Sequence, residues 1–159
     1  MFIFLSLLAY LTRAQGQFSG SMKSLINKTY QDSKLIPELQ EFEFQEGSLV
    51  SDIDDPESIT VDVFEKGNRS IVFFSIMEDT INHFYRVMDV VEVTEIHEGW
   101  KVRTTFCRQF GVDNVEVIAL VKSSQAEYLK PASKAWRFNR DKRKFEALDP
   151  AGVDCRQEG

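Results

Sequence analysis

The feature that most constrains this chain is a succession of short runs in which apolar and polar residues alternate, each closed by a turn-forming cluster. "SITVDVF" (58–64) and "SIVFFSIM" (70–77) are rich in β-branched and aromatic residues and flank "EKGNR", a glycine-containing connection that reads as a hairpin. "LQEFEFQEGSLV" (39–50) alternates in the same way, as does "WKVRTTFC" (100–107). In the latter, Trp100, Val102, Thr104 and Phe106 fall on one face, and Lys101, Arg103, Thr105 and Cys107 on the other. "VEVIALVKS" (115–123) reads as a further strand, and "KAWRFN" and "KFEALD" flank "RDKR" as a final hairpin.

Helical signals are fewer. In residues 18–36, Met22, Leu25, Ile26 and Tyr30 match one helical face, Ser19 or Ser21 is placed to cap it, and Pro37 ends it. "SQAEYLK" (124–130) fits one capped turn of helix. Residues 78–96 carry both periods: Ile81, Phe84, Tyr85 and Met88 share a helical face, while the β-branched run favours a strand from Tyr85 to Ile96. The count predicts a single α+β domain over 15–159. Its antiparallel, curved sheet or partial barrel has about seven strands, with one N-terminal helix packed on it.

The first residues, "MFIFLSLLAYLTRAQGQ", hold an apolar run too short to span a bilayer but of the length of a signal-peptide core. Thr12 and Ala14 suit a cleavage site after residue 14, so 1–14 reads as an export signal; no Lys or Arg precedes the run. The same stretch also fits a buried N-terminal strand or helix. No transmembrane segment is expected.

The chain has only two cysteines, Cys107 and Cys155. An even number behind an export signal points to one disulfide, which would tie the C-terminal tail to the strand bearing Cys107. The rival reading is a catalytic thiol at Cys107 served by His83 or His97, but nothing in the sequence places a histidine beside it. Asn27-Lys-Thr29 and Asn68-Arg-Ser70 fit the N-glycosylation pattern.

Charge is unevenly spread. Residues 38–65 contain ten carboxylates and no Lys or Arg. Residues 122–144 are basic, and Lys134, Arg137, Arg140, Lys142, Arg143 and Lys144 gather around the last hairpin, with Arg137 between Trp136 and Phe138. That hairpin is the candidate binding site for an anionic envelope component or an acidic protein. It also fits a solvated hairpin tip that keeps a sheet edge soluble, or a basic face that meets the acidic stretch within one molecule or across a dimer. Without residues 1–14 the chain carries 18 basic and 25 acidic residues, so nucleic acid is a poor partner.

Other chemistries lack their signatures. "DIDDPE" (52–57) opens like a calcium loop, but Glu57 and Val63 stand where glycine and glutamate are needed. His83 and His97 are fourteen residues apart and lack zinc spacing; no phosphate loop and no GxSxG elbow occurs. No metal, cofactor or catalytic residue is therefore assigned.

"AWRFNRDKRKFEALDPAGVDC", with "YRVMDVVEV" and "VEVIALV" upstream, resembles small exported proteins of Gram-negative bacteria to which no activity is assigned. In them an Ala-Trp-Arg strand leads through a short hairpin to a Gly-Val-x-Cys ending; Gln157 here departs from the Asn of that pattern. The resemblance covers the C-terminal half, implies a periplasmic or secreted location and a late disulfide, and supplies no catalytic residue. The leading expectation is an exported, disulfide-stapled, non-catalytic binding module. The alternatives are a small exported hydrolase or isomerase with a cavity between helix and sheet, and a self-associating structural protein.

Overall fold

The computed structural model describes residues 22–51, 55–104, 106–129 and 132–157. The proposed leader and the Asp52–Asp54 part of the acidic loop lie outside them. In chain order the strands are β1 (Thr29–Tyr30), β2 (Glu43–Leu49), β3 (Ile59–Lys66), β4 (Arg69–Asp79), β5 (Phe84–Val93), β6 (Trp100–Arg103) and β7 (Cys107–Gln109). They continue as β8 (Val112–Asp113), β9 (Val117–Lys122), β10 (Tyr128–Leu129), β11 (Ala132–Asn139), β12 (Lys144–Leu148) and β13 (Val153–Arg156). Three sheets result, in the orders β1-β5-β4-β3-β2, β12-β11-β9-β6 and β10-β13-β7-β8, and every ladder is antiparallel.

The α+β expectation is overturned. Among the described residues there is no α-helix, and thirteen strands in three sheets replace about seven in one. Where a helix was expected over 18–36, Met22–Leu25 forms a single 3₁₀ turn; Asn27 then takes a left-handed backbone (φ 70°) and Tyr30 enters β1. Two further 3₁₀ turns, Ser33–Leu35 and Pro37–Leu39, follow. The helical spacing was real only for Met22 and Leu25. Beyond them Tyr30 packs from β1, Ile36 and Leu39 from the following turns, and Leu35 is exposed. Residues 124–129 likewise bend into β10 rather than forming a helical turn.

Stacking of the sheets explains which strands alternate and which do not. Val61, Val63, Val72, Phe74 and Ile76 of the five-stranded sheet meet Val102, Ile118, Leu120 and Phe138 of the β6-bearing sheet in the largest core, where Phe74 stacks on Phe138. The other face of the five-stranded sheet, with Phe64, Ile71, Phe73 and Val87, is covered by Met22, Leu25, Ile36 and Leu39 from the N-terminal turns. The other face of the middle sheet packs Val117, Ala119, Val121 and Ala135 against Cys107, Leu129, Val153 and Cys155. Central strands β4 and β9 are therefore buried on both faces and read as continuous apolar runs, while outer strands alternate. The alternation of "WKVRTTFC" spans two sheets: β6 ends at Arg103 and Cys107 opens β7 in the third.

β3 and β4 form the hairpin expected from "EKGNR", turning at Gly67 with φ 59°. Cys107 and Cys155 lie directly opposite each other on β7 and β13 and form a disulfide. The bond closes a loop with a sequence separation of 48. Small residues beneath it, Ala119 and Ala135, let the short third sheet approach the middle one closely.

Candidate functional site

Of the six hairpin cations only Arg140 is partly buried, and the other five are exposed. Arg140 Nη1 lies 2.7 Å from Asp55 Oδ2, its Nε 3.0 Å from Glu116 Oε1, and its Nη2 donates to the Val50 carbonyl. Arg143 pairs with Glu57 at 2.7 Å, Lys142 with Glu146 at 2.6 Å, and Arg137 approaches Glu146 at 3.8 Å. Lys134 and Lys144 are exposed and have no carboxylate partner among the described residues. The hairpin side chains thus meet the acidic stretch at Asp55 and Glu57 within one molecule. Arg140 and Arg143 are answered there, and Lys142 and Arg137 by Glu146 of the hairpin itself.

The histidines do not converge either. His83 occupies the β4–β5 turn with φ 54°, and His97 is exposed in the turn before β6. Among the described residues no group of three His, Cys, Asp or Glu side chains could hold a metal ion. Cys107 is committed to the disulfide. A hollow of about 440 Å³ near that bond is lined by Arg108, Phe110, Pro150 and Gly152. Its charge is spent internally: Arg108 makes a bidentate pair with Asp154 at 2.7 and 2.9 Å and lies 3.3 Å from the Tyr128 ring centroid.

A different site is built on the outer face of the five-stranded sheet. Asp62 follows Val61 and precedes Val63 on β3; those valines enter the main core, so the pleat sends the carboxylate outward. Its cross-strand partners are Gly47 on β2 and Phe73 on β4. Oδ2 accepts hydrogen bonds from Tyr30 Oη at 3.5 Å and Thr60 Oγ1 at 3.4 Å, and Tyr30 Oη is 3.1 Å from the buried Ser75 Oγ. Oδ1 has no hydrogen-bond partner among the described residues. A side chain on Gly47 would put Cβ 2.5 Å from that oxygen and 3.2 Å from Phe44 Cζ, so glycine is what leaves room for both.

Aromatic rings frame the carboxylate. Tyr30 stacks on Tyr85 with centroids 5.6 Å apart, Phe64 meets Phe73 at 5.1 Å, and Phe44 sits edge-on to Phe64 at 5.7 Å. The N-terminal turns complete a cleft of about 380 Å³ whose walls include Gln31, Asp32 and Ser33 but no Lys or Arg. A broader hollow of about 590 Å³ continues from it past Phe44 and Phe64. Burial pushes the Asp62 carboxyl up to about 6, against the opposing pull of the Thr60 and Tyr30 hydroxyls. Burial, and then the Asp62 charge, raises the Tyr30 phenol, which stays neutral.

Sequence reasoning gave no member of this site a functional role, and read Tyr30 and Tyr85 only as positions of helical faces or, for Tyr85, of a strand. A polar residue inside "SITVDVF" is what an alternating strand requires on its solvent face, so Asp62 drew no notice. The usable signal was a carboxylate at the centre of an apolar strand facing a glycine, but the pairing of Gly47 with Asp62 depends on a bulge. β2 slips by one residue between Phe44 and Glu46, turning Phe44 and Gly47 to the outer face. No known protein family, curated protein or solved structure matches this chain.

Proposed function

We propose that the chain is an exported, non-catalytic binding module whose ligand occupies the cleft between the N-terminal turns and the five-stranded sheet, with Asp62 as its polar anchor. One observation carries this reading: a half-buried carboxylate has no cation to pair with among the described residues and one oxygen without a partner in a ring-lined cleft. Such a group works against the fold, and stability sacrificed at a concave site is the mark of a binding role. The apolar leader and the disulfide support export to an oxidising compartment, periplasmic or extracellular. The basic hairpin is not retained as the ligand site, because Arg140 and Arg143 already serve the 55–57 loop.

A protein-observed NMR screen on the isotope-labelled, disulfide-bonded chain tests this, using mixtures of cationic, neutral and anionic fragments. Hits are expected to shift the amides of Gly47, Asp62 and Ser75 and to be lost in Gly47→Ala. Hits confined to Arg137–Lys144, or no hit in the cleft, overturn the reading.

A further inference from the structure

We infer that the cleft selects an organic ammonium group, with the positive nitrogen held by Asp62 and the surrounding rings; this rests on the cleft being the ligand site. The charge balance of the walls favours it. Among the described residues Asp62 and Asp32 are the acids there and no Lys or Arg lines the cleft, Lys34 belonging to the adjoining hollow; Asp32 already accepts from the Lys34 amide at 2.9 Å. Asp62 Oδ1 is therefore the unanswered charge. Tyr30, Phe44, Phe64 and Tyr85 line the same cleft, and a ring face turned to a bound cation adds attraction that a hydroxyl or aliphatic wall would not. Phe44, 56% exposed at the rim, is the ring free to close over a bound alkylammonium. An anion would meet two carboxylates and no donor cation, and a neutral ligand would leave the desolvated carboxylate unpaired.

The assignment also sets a pH profile. The titratable groups facing Asp62 are Tyr30, Tyr85 and Asp32. An ammonium ligand binds the ionised carboxylate, so affinity should fall as pH drops through about 6.

The probes are butylammonium, choline and dimethylbutanol, the last an uncharged carbon analogue of choline, each titrated into the oxidised chain at pH 8 and followed at the Gly47 and Ser75 amides. At least one cation is expected to bind about tenfold or more tightly than the neutral analogue, a preference of the size that one charge pair with aromatic contacts gives. Asp62→Asn should abolish that preference while leaving the fold intact, and Phe44→Ala, at an exposed ring, should weaken the cation alone. Equal binding of dimethylbutanol, or an unchanged preference in Asp62→Asn, overturns the ammonium assignment and leaves the cleft standing as a site for neutral ligands. Failure of all three probes at these amides also overturns it, and the fragment screen then decides whether the cleft binds anything.

Discussion

Asp62 sits between two buried valines, and the sign of its titration shows what it costs. Its carboxyl titrates at about 6 in the fold and near 4 in an unfolded chain, so the folded form holds the proton more tightly. The contribution of Asp62 to stability is therefore most favourable below pH 4, falls as pH rises from about 4 to about 6, and stays reduced above that, by about 1–3 kcal/mol. Asparagine keeps the acceptor for Tyr30 and Thr60 without the charge. Asp62→Asn should raise unfolding free energy at pH 8 by about 1–3 kcal/mol and change nothing at pH 3.5, as measured by urea denaturation at the two pH values. Gly47→Ala has a different outcome: its Cβ meets the end of a movable carboxylate rather than backbone, so stability should change by less than about 1 kcal/mol while cleft binding is lost. None of this was legible in the sequence, because a strand's solvent face and a desolvated cleft call for the same residue type.

At the scale of elements, the strands were legible where one face is wet and misread where a local turn mimics a helix. The β3–β4 and β11–β12 hairpins follow from alternation broken by Gly67 and by "RDKR". Met22 and Leu25 have helical spacing for one turn only, and single-turn spacing cannot distinguish a 3₁₀ turn from the start of a helix. The bulge in β2 was invisible, yet it sends Glu46 inward to Arg103 at 3.1 Å and Phe44 outward to the cleft. The basic hairpin yields a graded prediction. Arg140 holds two carboxylates and a carbonyl from a half-buried position, so Arg140→Ala should cost about 1–3 kcal/mol by leaving those acceptors unanswered. Arg143 and Glu57 are both more than 40% exposed, and Arg143→Ala should cost no more than about 1 kcal/mol. Thermal melts of the two variants at low and high salt check the contrast.

Across the whole molecule, three stacked sheets and a cover of N-terminal turns divide the work. The two larger sheets share the main core; the third, of short strands, depends on the Cys107–Cys155 bond and on Ala119 and Ala135 beneath it. Replacing both cysteines by alanine should lower stability by about 2–5 kcal/mol and release amide protection first in β7, β10 and β13, as read by hydrogen exchange. Pairing of the cysteines was legible from their number and context, whereas the layering was not, because continuous runs such as "VIALV" fit a buried strand in many arrangements. The cleft sits at the opposite face of this stack, on the most extensively paired sheet, where Asp62 and Gly47 are held by neighbouring strands. The measurement that tests the central claim most directly is the titration of the Asp62 side-chain carbon by NMR, in the free chain and with choline present. A midpoint near 6 that moves downward with choline is the predicted result. A midpoint near 4, unmoved by the cation, would mark Asp62 as an ordinary solvated carboxylate and contradict the account.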